Sequence, residues 1–269
     1  MSNPMLPKLV RFQRPDRALP WARPDRATEA AVFGTDLAGY EAALADLDRQ
    51  RDEAADRLAA DAGVADRLRR LPFTAGERIV AIGESTTADR LSWFEVLRTL
   101  IDRHRPDLGL ELINLAVSGA STTGTLAGLA GIRRQPADRV FILLGGNDIQ
   151  RCGVDGPRLV SEAETERNLR LLRERASGDA AHWIWLTPPP VDEAAVAAFP
   201  FFGGAGLHWS NDDVRRTAGA VRRIAGDRDL VIDTSPAVTG PESLLEDGVH
   251  PQAATQAAVA GLVLDALTR

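Results

Sequence analysis

The chain has 269 residues and a mass of 29.0 kDa, near the upper limit of what one continuous hydrophobic core serves. Its 44% apolar and 26% charged residues exclude a disordered or collagen-like chain, and aliphatic runs such as Val140 to Leu144 are far too short to span a bilayer. A net charge of −6 without a long basic stripe argues against nucleic acid as a partner.

The first 35 residues are rich in Pro and Arg and repeat Arg-Pro-Asp-Arg-Ala at 14–18 and 23–27. Prolines 4, 7, 15, 20 and 24 forbid a long helix there, so an arm lying over the body or a partly ordered tail is expected. Lys8, Arg11, Arg14 and Arg17 follow one another with no apolar segment between them. A cleaved export signal is therefore not expected, and the cytoplasm is the expected compartment. Lys8 is the only lysine of the chain, which reads as a compositional bias.

Thr35 and Asp36 offer an N-cap to a helical segment ending near Leu71. Leu37, Tyr40, Leu44, Leu47, Ala54 and Leu58 share one face, broken by Arg51, and Gly63 divides the segment into two helices. Two readings compete: the stripe packs on the body, or residues 36–71 form a short coiled coil that joins two chains as a homodimer. The short length and the Arg in the seam favour packing within the chain.

From residue 76 apolar runs alternate with amphipathic stretches. Strands are predicted at Arg78–Ile82, Leu110–Leu115, Val140–Leu144, Trp183–Thr187 and Asp229–Ile232. Helices are predicted at Thr87–Arg103, Thr122–Arg134, Ser161–Ala176, Asp212–Ala225 and Gln252–Leu267. Strands separated by helices of this length imply crossovers and a parallel sheet with helices on both faces. The expected division is an arm and helical extension over 1–75 and an α/β domain over 76–269. Function in such folds gathers in loops at the carboxyl ends of the strands.

Four such loops carry chemistry. Gly83-Glu84-Ser85 follows the first strand, its glycine permitting a tight turn that presents Ser85 at a helix start. A serine there is by itself an ordinary N-cap. Gly119 follows the second strand within Val-Ser-Gly-Ala-Ser, again the composition of a plain turn. Gly145-Gly146-Asn147-Asp148 ends the third strand and leaves the Asn147 carboxamide free to project as a donor. Asp247-Gly248-Val249-His250-Pro251 stands near the C-terminus. Asp247 can accept from His250 Nδ1–H and leave Nε2 as a base, although an isolated Asp…His pair is more often structural.

Taken in order, these four blocks resemble those of the SGNH hydrolases, the GDSL-type esterase and lipase superfamily, over residues 76–269. The resemblance implies a three-layer α/β/α fold of the flavodoxin-like SGNH type, with a five-stranded parallel sheet. It also implies a Ser85–His250–Asp247 triad. The oxyanion donors it implies are the N–H groups of Ser85 and Gly119 and the side chain of Asn147. Glu84 departs from the usual Asp before the nucleophile. An α/β-hydrolase elbow would need Gly-x-Ser-x-Gly, which the sequence lacks.

The expected activity is hydrolysis of a short-chain O-acyl ester, with an acetyl ester as the example and a small-molecule substrate as the partner. An acyltransferase using the same triad and a non-catalytic binding protein of the same fold stand as alternatives. Residues 188–210 form a long connection whose Phe199, Phe201, Phe202 and Trp209 make either an apolar lid or a loop packed on the core. Phe202, His208 and Trp209 are the candidate substrate contacts. No cofactor is expected: four scattered histidines do not make a zinc site, and the glycine turns lack nucleotide-binding spacing. The single Cys152 can form neither an internal disulfide nor a thiolate cage.

Overall fold

A computed structural model describes residues 5–18, 24–178 and 180–269. Pro4, Pro20 and Arg23, used above, lie outside the described residues. Five parallel strands form the central sheet: β1 (Arg78–Gly83), β2 (Glu111–Asn114), β3 (Arg139–Leu143), β4 (His182–Leu186) and β5 (Leu230–Ile232). Their order is β2-β1-β3-β4-β5. Alternate residues serve opposite layers because successive side chains of a strand point to opposite faces. Ile79, Ala81, Phe141, Leu143, Ile184 and Leu186 pack with the helices Trp93–His104 and Ala253–Leu267. Val80, Ile82, Val140, Ile142, Trp183 and Trp185 pack with the helices Glu162–Arg175 and Asn211–Ala225.

Two predicted helices are interrupted. Thr87–Arg103 becomes a short turn of helix at Ser85–Ala88 and a longer helix from Trp93. The break has a local cause. Asp89 accepts from Leu91 N–H and Ser92 caps the second helix through Glu95 N–H, and such side chains compete with the helical ladder for donors. Thr122–Arg134 likewise divides at Gly128 into Thr122–Ala127 and Leu129–Ile132.

In the N-terminal extension, the helices Leu6–Phe12, Pro15–Ala18 and Arg26–Val32 are short, and the first two carry Pro7 and Pro15 in their first turns, where a missing N–H costs nothing. The helix Leu37–Ala59 follows, capped by Asp36, and Gly63 at φ +86° separates it from Val64–Arg69. Tyr40, Leu47, Ala54 and Leu58 are buried within the chain, whereas Leu37 is exposed. Ala54 and Leu58 belong to the same core as the Trp93 and C-terminal helices. Arg51, the seam residue, turns aside to Asp48 and Asp52.

The first helix crosses the carboxyl edge of the sheet. Arg11 grips the fully buried Asp89 through two nitrogens, at 2.9 and 2.7 Å. Arg90 returns a bond to Val10 O at 2.9 Å, and Ser118 Oγ donates to Phe12 O. A bidentate pair removed from water on one side fixes position as well as charge. Among the described residues no helix is long and apolar enough to cross a membrane.

Candidate active site

Register brings the loops together before any side chain acts. Gly83 pairs with Leu143, so residues 84–85 and 144–147 leave the sheet side by side. Gly83 is needed for close approach: an added Cβ would stand 2.8 Å from Thr87 Cβ and 2.9 Å from Leu143 O. Its φ is not among the positive values, so the tight-turn explanation for this glycine is replaced by a steric one. Beyond β2, Val117 N–H donates to Gly83 O at 3.1 Å and carries that loop toward the same edge. Gly119 then adopts φ +78° with open space around its missing Cβ. Left-handed backbone, rather than crowding by protein atoms, requires glycine there.

The C-terminal loop reaches the same place from the far end of the chain. Asp247 is fully buried, and its Oδ1 accepts the N–H groups of Val249 and His250 at 3.0 and 2.9 Å. Its Oδ2 lies 2.9 Å from His250 Nδ1. His250 Nε2 lies 2.9 Å from Ser85 Oγ. Protonated at Nδ1, the imidazole donates to the carboxylate and accepts from the serine hydroxyl at Nε2. Burial pushes the Asp247 carboxyl upward, but the bond and charge of His250, with Lys8 adding to them, hold it well below the ordinary carboxylate range. Such an arrangement can take a proton from Ser85 as its oxygen attacks a carbonyl.

Above the serine, donors are available for a developing oxyanion. Neither Ser85 N–H nor Gly119 N–H has an acceptor among the described residues. Asn147 differs from the free carboxamide expected of it. Its Nδ2 donates to Ala120 O at 3.0 Å and to Glu84 Oε2 at 3.2 Å. The carboxylate of Glu84 also accepts Gly146 N–H and Asn147 N–H, at 3.0 and 3.1 Å. A glutamate at this position thus bridges to the neighbouring turn, and a Cβ at Gly146 would collide with its Oε1. Burial pushes Glu84 up to about 8, with the charge of Asp148 adding to the rise against the opposing N–H bonds.

Residues 81–258 match the family model described as GDSL-like Lipase/Acylhydrolase family. The chain belongs to this family. It is a carboxylic ester hydrolase, with the α/β fold described above. Among solved structures, one similar chain is an alpha/beta hydrolase enzyme from the metagenome of Lake Arreo, Spain. It is 21% identical with a TM-score of 0.57, over 72% of this chain and 96% of that one. Another is an acetylxylan esterase from Geobacillus stearothermophilus, 23% identical with a TM-score of 0.56, over 73% of this chain and 96% of that one. No curated protein sequence matches.

In this GDSL-like chain, a cleft of about 370 Å³ is lined by Ser85, Gly119, Asn147, Asp247 and His250 together. Phe199, Phe201, Phe202 and Trp209 line it too, in contact with one another: Phe202 lies 5.2 Å from Phe199 and 4.8 Å from Trp209 by ring centroid. Trp209 Nε1 donates to Gly146 O at 2.9 Å and thereby ties this connection to the Asn147 turn. His208 does not line the cleft. It pairs with Arg151 in a two-stranded ribbon and lines a separate depression with Asp155 and Asp213. Trp209, the next residue, lines both that depression and the cleft, so of the three expected substrate contacts the cleft brings Phe202 and Trp209 to the serine and not His208. Cys152, in the same ribbon, is exposed.

The first helix supplies a wall that sequence reasoning did not place: Met5, Lys8, Leu9, Phe12 and Gln13 all line the cleft. The Phe12 ring packs on the His250 ring at 4.5 Å between centroids. An apolar pattern at Leu6, Leu9, Val10 and Phe12 was the available signal, but it cannot say which surface the helix covers. Among the described residues no group of His, Cys, Asp and Glu is placed to hold a metal ion.

Proposed function

We propose that this hydrolase cleaves a short-chain O-acyl ester through an acyl-serine intermediate formed on Ser85. The observation that carries the reading is the unbroken run Ser85 Oγ–His250–Asp247, with both spacings at 2.9 Å. Ser85 Oγ attacks the carbonyl carbon while His250 Nε2 takes its proton, and Asp247 steadies the resulting imidazolium. The carbonyl oxygen gains the negative charge and meets the N–H groups of Ser85 and Gly119. Collapse expels the alcohol oxygen, which receives the proton held on Nε2. Water then repeats the sequence on the acyl-serine, losing its proton to His250 and releasing the acid.

Asn147 joins as the third donor by trading its 3.2 Å contact with Glu84 for the oxyanion. That contact is the longer of its two, and it is the cheaper one to give up. Asn147→Ala should lower kcat about 10²- to 10³-fold, the cost of one oxyanion donor, with KM little changed. Steady-state kinetics on p-nitrophenyl acetate measures both.

A short acyl group is supported by the aromatic lining that Phe12, Phe202 and Trp209 give the cleft of the serine, and by the acetyl substrate named for the Geobacillus esterase of like fold. A panel of p-nitrophenyl esters from C2 to C12 tests it. Turnover on the acetyl ester should exceed that on the dodecanoyl ester by about tenfold or more, since pocket shape sets the discrimination. Faster cleavage of the long esters would reassign the chain to lipids.

A further inference from the structure

We infer that Lys8 is a positioning residue for the Asp247–His250 pair, so that the arm outside the family match completes the active site. Lys8 Nζ lies 2.8 Å from Asp247 Oδ2, the same oxygen that faces His250 Nδ1. The other carboxylate oxygen is already filled by two backbone N–H groups. Lys8 also bonds Glu246 Oε1 at 2.8 Å and stands 4.6 Å from the Phe199 ring centroid. The sole lysine of the chain therefore joins the arm, the aromatic connection and the histidine loop at one point.

The titratable and charged groups around His250 come from several elements. Its own loop gives Asp247 and Glu246, and the arm gives Lys8 and Arg11. The segment after Ser85 gives Asp89, and the end of β1 gives Glu84. Arg11 and Asp89 are paired with each other, at 2.7 Å, and the buried Glu84 lies on the Asn147 side of the serine. Lys8 is thus the cation that offsets the two carboxylates of the histidine loop. The Asp247 side chain is almost fully buried and Lys8 only about a quarter exposed, so screening between them is weak.

Two consequences follow for the residues that do the chemistry. The ammonium fixes Oδ2 where Nδ1–H can donate to it, and keeps Asp247 ionised. It also drains part of the field with which Asp247 favours the imidazolium. Burial works against the charge on Lys8, yet Asp247 and Glu246 outweigh it and raise its pKa, so the cation persists through the working range.

This inference rests on the triad proposed above, and its test separates the two. The pH dependence of kcat/KM on p-nitrophenyl acetate is measured for wild type, Lys8→Met, Lys8→Gln, Lys8→Arg and Ser85→Ala, each as the full chain with its melting midpoint checked. Loss of the ammonium strengthens the carboxylate's pull on the imidazolium. The acid limb of Lys8→Met should therefore move up by about half to one pH unit. Lys8→Gln, which retains a donor for Asp247 without the charge, should move it likewise even if Lys8→Met folds poorly. Lys8→Arg should keep the wild-type limb. Neutral variants that superpose on wild type, or an Arg variant that shifts as far as they do, overturn the role of Lys8 while the triad stands. Turnover retained by Ser85→Ala would instead remove the triad itself.

Discussion

Ser85→Ala is expected to lower ester turnover by about 10⁴- to 10⁶-fold and to abolish covalent labelling by a fluorophosphonate. The size of the loss follows from how little else in the cleft can do the same work. A hydroxyl is a weak nucleophile until a base takes its proton, and here one imidazole nitrogen, 2.9 Å away, is placed to do so. Without the oxygen, His250 has no proton to take and the acyl group nothing to bond to. Residual rate would come from the free N–H groups and from binding. His250→Ala should fall in the same range, and the double variant should lose little more, because the two act as a unit. Intact-mass measurement of the probe adduct and progress curves on p-nitrophenyl acetate check both. A labelled Ser85→Ala would move the nucleophile elsewhere.

Asp247→Asn should cost about 10³- to 10⁴-fold in kcat, for a reason visible in its hydrogen bonds. Two backbone N–H groups point at Oδ1, so the carboxamide oxygen must occupy that side. Its NH₂ is then left facing Nδ1 and the Lys8 ammonium. Imidazole Nδ1 must accept rather than donate, Nε2 carries the proton, and the serine loses its base. The same substitution has a stability signature. The Asp247 carboxyl is held below its ordinary value of 3.8, so its contribution is complete above about pH 4 and lost as pH falls further. Melting midpoints of the variant should lie below wild type at pH 6–8, and the gap should begin to narrow as pH falls below about 4. A gap that stays constant would mean that the carboxylate is not the stabilising species.

The alternation of apolar runs with amphipathic stretches determined the five strands and their helices, since that pattern follows from burial on two faces of a parallel sheet. The blocks at 83–85, 119, 145–148 and 247–250 picked out the candidate residues through their resemblance to a known family, whereas the register of β1 against β3 is what sets the first and third of them side by side. Where local rules compete, the sequence alone was undecided. The break at Asp89 and Ser92 turned on side chains capturing donors that a continuous helix would have used. Tertiary packing alone decided that Asn147 is held by Glu84, that Trp209 faces the cleft and His208 does not, and that the arm closes over His250. Lys8 and Asp247 are 239 positions apart, and no periodicity links residues at that distance. Their meeting depends on a short helix docking through Arg11, Arg90 and Ser118 onto an edge that exists only after the sheet has formed.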